Sequence, residues 1–244
     1  MKNVKRSELH LVNSVSAGNS LTGPVEDYLK AIYSLGRGTE AVATNDIAQR
    51  LVVAPASVSG MVRRLAEQGL LSYERYRGVK LTERGRHAAL GTLRRHRVIE
   101  SYLSKALSYP WDRVHAEAER LEHAASDELV DRMASAIGEP EVDPHGAPIP
   151  SREGFMDETE YFPLAEVGAG LGVRVVRVSD ADPEMLRYLG ELEITPGAEI
   201  LIVSKAPFDG PIMLRIGSSL HSIGPALAGQ VLVEPLTDLE APAH

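Results

Sequence analysis

Apolar residues recur at helical spacing through the first part of the chain and switch to alternation in the last part. The earliest clear stripe is Tyr28, Ile32 and Leu35, in a segment opened by Thr22-Gly-Pro24 and closed by Gly36-Arg-Gly38. It predicts a helix from Val25 to Leu35. Residues 1–21 ahead of it are rich in Ser and Asn without periodicity and read as a flexible tail. A short helix follows at Thr44–Leu51, capped by Thr44 or Asn45. After a turn at Val52-Val-Ala54, another helix opens on Pro55 and ends at Gly69,. Val58, Val62 and Leu65 make its inner stripe, while Ser57, Ser59, Arg63 and Arg64 lie outside. Leu70 to Thr82 alternates like a hairpin, with its turn near Arg77-Gly78 and Arg75, Arg77 and Lys80 crowding the tip,. This order predicts a winged helix-turn-helix over residues 22–83, with those exposed polar and basic side chains facing DNA.

Thr82-Glu-Arg-Gly85 starts a long helix that reaches about Leu107. Ser108-Tyr-Pro-Trp111 breaks it, and Asp112 is placed to cap a helix running to His123,. Ser126 to Ile137 forms a further helix, closed by Gly138-Glu-Pro140. Val98, Leu103, Leu107, Leu129, Val130, Met133 and Ile137 exceed what a winged helix needs internally, so residues 84–138 read as a dimerisation layer. Residues 139–163 are rich in Pro and Gly and read as an ordered or semi-rigid linker, with His145 as a turn residue,. From Leu164 to residue 236 the period falls to two. Strands are expected at Val173–Val178, Glu199–Val203, Ile212–Ile216, Ser218–Ile223 and Gln230–Val233, with a helix at Asp182–Leu189. A small, partly open barrel of about five strands fits, and residues 237–244 form a tail. The fold class is mainly α with a small β domain.

Charge sharpens this division. Residues 1–97 hold 16 of the 26 Lys+Arg and 8 of the 34 Asp+Glu; the remainder holds 10 and 26. A basic first part on a chain of net charge −8 points to a polyanion for that part and to cations for the acidic remainder,. The absence of Cys removes disulfides, thiolate nucleophiles and thiolate ligands,. No apolar run approaches a membrane span and no signal-peptide core opens the chain, so the expectation is a cytoplasmic protein without a membrane partner.

His115, Glu119, Glu122 and His123 stand at i, i+4, i+7 and i+8, returning to one helix face. Two imidazoles and two carboxylates there could bind a divalent cation, or they could be a solvated charged face. His96 and Glu100, at i and i+4, make a second chelating pair. Asp27 lies near a helix N-terminus, where a carboxylate is favoured electrostatically in any case.

Several motifs together resemble the diphtheria-toxin-repressor family of metal-dependent transcriptional repressors, over about residues 22–236. They are Val25-Glu-Asp-Tyr-Leu29, Ala31-Ile-Tyr33, Tyr73-Glu-Arg-Tyr-Arg-Gly78, Arg95-His-Arg97 with Glu100, Val114-His115 through Glu122-His123, and Asp143-Pro-His-Gly-Ala-Pro-Ile-Pro150. The resemblance implies a regulatory metal site of Asp27, Glu119, Glu122 and His123. It also implies an ancillary site of His96, Glu100, His115 and an acidic residue of the SH3-like domain, aligned to Asp182 with Glu184 as the alternative. Iron-responsive members carry Met and Cys at the positions of Asp27 and Glu119. Carboxylates there resemble the manganese-responsive branch, because hard oxygen donors suit Mn²⁺, while Fe²⁺, Co²⁺, Zn²⁺ and Cd²⁺ remain able to bind. Lys30 replaces an acid of short manganese regulators, which argues against a binuclear site built on that acid. The expected function is a homodimeric, Mn²⁺-dependent repressor of metal-uptake genes on a palindromic operator. The alternatives are an iron-responsive relative and a metal-independent winged-helix regulator. A metallohydrolase is disfavoured, since neither a substrate pocket nor a general-base motif is evident, so no enzyme is expected.

Overall fold

The computed structural model describes residues 21–74, 76–157 and 159–236. Arg75 and the expected tails, except Leu21, lie outside the described residues. The first unit contains α1 (Gly23–Leu35), α2 (Thr44–Leu51), α3 (Pro55–Glu67) and the antiparallel hairpin of β1 (Leu71–Glu74) and β2 (Gly78–Leu81). Prolines in the first turns of α1 and α3 supply preset φ angles where no amide is needed,. The stripes expected from the sequence close one core, except that Leu35 at the end of α1 is exposed; Leu29, Ile32, Ile47, Val58, Leu65, Leu70 and Val79 are all buried. Ser57, Ser59, Arg63 and Arg64 stay exposed on α3, as does Arg77 at the wing, with Lys80 half-buried on β2.

The cap of α2 differs from the expectation of Thr44 or Asn45. Ala43 is the N-cap, and its carbonyl accepts from the amides of Asp46 and Ile47 at 3.1 and 3.3 Å. The reason lies one residue earlier. Val42 pairs with Val79 through two backbone hydrogen bonds of 2.8 and 2.9 Å, so the strand entering α2 is already fixed to the wing.

Helix α4 (Glu83–Leu107) runs out of this unit as the spine of the molecule. Thr82 caps it by accepting from the Gly85 amide at 3.1 Å. Gly85 has no room for a side chain: a Cβ there would lie 2.0 Å from the Leu70 carbonyl oxygen. Against α4 pack α5 (Val114–Leu121) and α6 (Asp127–Ala136), with Val98, Ile99, Val114, Ala118, Val130 and Ala134 buried between them. Helix α5 is shorter than the sequence suggested. Asp112 is not its cap; it is buried and lies 3.8 Å from Arg187, while Arg113 precedes the helix and Glu122 ends it. Of the apolar residues assigned to a dimerisation layer, Val98, Leu103 and Val130 are buried within the protomer, and Leu107 and Leu129 are exposed.

The C-terminal unit is one antiparallel sheet in the order β3-β8-β4-β5-β6-β7. Its strands are β3 (Phe162–Pro163), β4 (Gly172–Val178), β5 (Glu199–Lys205), β6 (Ile212–Ile216), β7 (Ser219–Ile223) and β8 (Val231–Pro235), with α7 (Pro183–Glu191) after β4 and α8 (Pro225–Ala228) before β8. There are six strands rather than about five because Phe162 and Pro163 pair with Val233 and Leu232 of β8. Val173, Val175, Leu186, Leu189, Ile200, Ile202, Leu214 and Val233 fill its core. No described helix is long and apolar enough to cross a membrane.

The Pro-rich segment joining the units is packed rather than merely spanning. Asp143 accepts from the amides of His145 and Ala147 at 2.8 and 2.9 Å, closing a tight loop,. The His145 carbonyl accepts from the Val178 amide at 2.9 Å, and the His145 ring meets the Trp111 carbonyl at 2.8 Å. The loop therefore staples β4 to the connection between α4 and α5. Gly146 makes this possible: its φ is +87°, and a Cβ would lie 1.9 Å from the Val176 carbonyl oxygen. Gly146→Ala combines a backbone clash with a strained φ, and the expected loss is about 2 kcal/mol or more. A urea unfolding series on the metal-free protein checks this; unchanged stability would remove the loop from the fold's framework.

Candidate metal centres

The donors named from the sequence separate into two clusters along α4 and α5. In the first, Asp27 from α1 meets Glu122 and His123 from the end of α5, with one donor atom of each within 4.8 Å of the others. His123 Nε2 lies 2.9 Å from Asp27 Oδ1 and 3.6 Å from Glu122 Oε1. The other ring nitrogen of His123 lies 2.6 Å from Glu26 Oε2. Arg95 of α4 holds Glu26 in turn at 2.5 Å, and its Nε donates to the Glu122 carbonyl at 3.0 Å. A carboxylate hydrogen-bonded to an imidazole fixes the orientation of the ring, so Glu26, held by Arg95, orients His123, and the sequence alone singled out neither residue for this. The signal was available only in part: Glu26 neighbours Asp27, but nothing local places Arg95 against it.

Glu119 lies outside this group. It clusters with His96 and Glu122, and its Oε1 accepts from Lys30 Nζ at 2.8 Å. Lys30 also donates to Glu122 Oε1 at 2.5 Å. The ammonium thus takes the place between two carboxylates that a cation would share. The position that argued against a binuclear centre carries a positive charge directed into the donor set.

The second cluster joins His96 and Glu100 of α4, His115 of α5 and Asp180, each offering one atom within 4.8 Å of the rest. His96 Nε2 lies 3.0 Å from Glu100 Oε1 and 3.1 Å from His115 Nδ1; His115 Nδ1 lies 3.2 Å from Glu100 Oε1 and 3.4 Å from Asp180 Oδ2. Asp180 corrects the alignment to Asp182. Asp182 is the N-cap of α7, its Oδ1 accepting from the amides of Glu184 and Met185 at 2.8 and 3.3 Å. Glu184 points away, exposed, towards Arg187 at 3.8 Å. An Asp directly before a Pro at a helix start is a capping signal. That signal leaves Asp180, two residues earlier, free to face the cluster.

His96 links the clusters. Its Nδ1 lies 2.5 Å from Glu122 Oε2 while Nε2 faces the second cluster. Burial alone would lower its pKa, but the Glu100 and Glu122 carboxylates outweigh burial and push it up to about 9. His115 follows the same logic: burial opposes the proton, and Asp180 and Glu100 raise the pKa to about 10. Against its own burial, Glu100 is held down to about 2 by hydrogen bonds to His115 and His96. Glu122 is likewise lowered despite burial, through His96 and Lys30. Both clusters therefore hold protons or an ammonium where lone pairs converge. The donor set, all imidazole nitrogen and carboxylate oxygen, fits a divalent ion of hard or borderline character, and Glu100 Oε2 has no hydrogen-bond partner.

Comparison with known proteins agrees with this architecture. Family models match residues 20–79 (iron dependent repressor, N-terminal DNA binding domain), 82–151 (iron dependent repressor, metal binding and dimerisation domain) and 162–235 (FeoA domain). The iron-dependent repressor IdeR of Mycobacterium tuberculosis is 31% identical over 228 residues, covering 88% of this chain and 99% of that protein. The solved structure of a manganese-dependent transcriptional repressor in complex with manganese is 38% identical at a TM-score of 0.81, covering 87% of this chain and 100% of that one. ScaR with bound Zn²⁺ is 30% identical at a TM-score of 0.75, covering 87% of this chain and 99% of that one. The three-part match, its near full-length reach and the metal-ready clusters between the parts lead to one conclusion: this chain belongs to the diphtheria toxin repressor family of metal-dependent DNA-binding repressors, with a C-terminal FeoA-type SH3-like domain.

Proposed function

We propose that the chain is a Mn²⁺-responsive repressor that binds a palindromic operator as a homodimer and controls metal uptake. One observation carries the metal-switch reading: Asp27, on the first helix of the DNA-binding unit, faces Glu122 and His123 at the end of α5 across the boundary between units. When bound, a divalent cation supplies positive charge that donors from both units share. Asp27 then draws α1 towards α5, and with it the α3 surface carrying Ser57, Ser59, Arg63 and Arg64. In a two-fold dimer, built on the domain the family uses for dimerisation, the position of α1 sets the separation of the two recognition helices and so the half-site spacing. The regulatory set is Asp27, Glu119, Glu122 and His123; the ancillary set is His96, Glu100, His115 and Asp180. Glu119 reaches the regulatory set only by leaving Lys30, so Lys30 competes for the same oxygens. The choice of Mn²⁺ rests on the sulfur-free donors Asp27 and Glu119 and on the manganese-bound neighbour. Iron is the second reading, favoured by the identity to an iron-dependent repressor.

Fluorescence anisotropy with an inverted-repeat promoter fragment tests the switch. The expected result is binding with Mn²⁺ and loss of binding in chelator; equal binding in both would make the clusters structural and the effector something else. Asp27→Met with Glu119→Cys should require more free Mn²⁺ and less Fe²⁺ for half-saturation, and an unchanged preference would refute the assignment of manganese to these two residues. Arg77→Ala should reduce the slope of log affinity against log salt by about one if this side chain holds a phosphate.

Metal uptake should also release protons. His96 and His115 keep theirs up to about 9 and about 10, and a ligating imidazole must be neutral, so apparent affinity rises with pH across the neutral range. Calorimetric titration in buffers of differing ionisation heat should show roughly one to two protons released as the ancillary set fills. Buffer-independent heats would mean that His96 and His115 are neutral before metal arrives.

A further inference from the structure

Beside the ancillary cluster, towards the loop after α6, three side chains converge in the interior: Glu100, Asp143 and His145, exposed by 0, 4 and 1%. One donor atom from each lies within 4.8 Å of the others. Each of the three also carries an atom with no hydrogen-bond partner, namely Glu100 Oε2, Asp143 Oδ2 and His145 Nδ1. Buried polar atoms are rarely left this way, and three at one place call for a common explanation.

Hydrogen bonding decides what these atoms are. The His145 Nε2 faces the Trp111 carbonyl at 2.8 Å. A carbonyl only accepts, so Nε2 carries a proton, and the tautomer this selects has its lone pair at Nδ1. Asp143 uses Oδ1 on the amides of His145 and Ala147, leaving Oδ2. Glu100 uses Oε1 on His96 and His115, leaving Oε2. His145 Nδ1 stands 4.0 Å from Glu100 Oε1. On the Asp143 side the cationic neighbour is Arg97, whose Nε is 3.6 Å from Asp143 Oδ2, beyond hydrogen-bond reach; the same side chain donates to the Pro148 carbonyl at 2.5 Å. Three lone-pair groups thus face one another, and two already have the outer hydrogen bonds that orient metal ligands, the Trp111 carbonyl behind His145 and the loop amides behind Asp143.

We propose that Glu100, Asp143 and His145 form a third divalent-cation site, adjoining the ancillary cluster and sharing Glu100 with it. One imidazole nitrogen and two carboxylates suit Mn²⁺, Fe²⁺, Co²⁺ or Zn²⁺. Entry is from the ancillary side, where His115 and Asp180 are the partly exposed members. The consequence concerns the C-terminal unit. His145 is tied to β4 through its carbonyl, so a cation on His145 and Glu100 joins that unit to α4 independently of Asp180.

The test counts bound ions in full-length protein dialysed against excess Mn²⁺, alongside Asp143→Asn and His145→Gln. Asn at 143 retains an oxygen for the two loop amides, so this variant keeps the turn while losing the charge, and it decides the matter should the His145 variant fail to fold. The expected result is about three Mn²⁺ per protomer in the unmodified protein and about two in each variant. Low-temperature electron paramagnetic resonance should show a coupled, carboxylate-bridged Mn²⁺ pair in the unmodified protein alone. About two ions in every protein, without a coupled signal, overturns the third site and assigns the cluster to a water or a proton. Fewer than about two in the unmodified protein would overturn the two-cluster reading as well, so the two failures are distinguishable.

Discussion

Glu100 and Glu122 are completely buried, and the arrangement of the whole centre depends on what neutralises them. An ionised carboxylate taken out of water without partners is prohibitively unfavourable, whereas one surrounded by donors is tolerated. His96 serves both, one ring nitrogen to each. Lys30 adds an ammonium to Glu122 from α1, and His115 adds an imidazole to Glu100 from α5. These compensating groups come from different elements, so satisfying the two carboxylates packs α1 and α5 onto α4. The DNA-binding unit is joined to the helical core through charge as well as through apolar packing.

The same interactions explain why the centre can respond to metal. Protons on His96 and His115 and the Lys30 ammonium supply positive charge to the clusters. A divalent ion bound at these clusters would therefore exchange with internal cations rather than fill a charge vacuum. It can shift the position of α1 only by the difference between its affinities for the two arrangements. Because His96 touches both clusters, the protonation and orientation of one bear directly on the other. A ligating Nε2 requires that Nδ1 keep its proton, and that proton points at Glu122.

The C-terminal unit takes part through two contacts of different kinds. Asp180 contributes a carboxylate to the ancillary cluster directly. The loop from Asp143 to Ala147 acts through backbone hydrogen bonds, holding Val178 of β4 on one side and presenting His145 to Trp111 on the other. Both contacts lie at the same end of the sheet, so the unit is anchored beside the metal-binding helices rather than swinging on a free linker.

Much of this was legible in the chain itself. The helical stripes of α1, α3 and α4, the wing, the alternation of the C-terminal strands and most donors follow from local patterning, because helix and strand periods are written in adjacent residues. The motifs in order were enough to indicate the family. Three matters required tertiary structure. Asp180 rather than Asp182 faces the ancillary cluster because a capping position consumes Asp182, and which carboxylate remains free depends on how α7 lies against the connection between α4 and α5. Lys30 enters the regulatory cluster, and Glu119 turns to it, only because α1 crosses beside α5. His145 changes from an apparent turn residue to a buried imidazole with a free lone pair because Gly146 lets the loop press against β4. Spacing along the chain determines which side chains share a face of one element, but only the packing of elements distant in sequence determines which charges must neutralise one another.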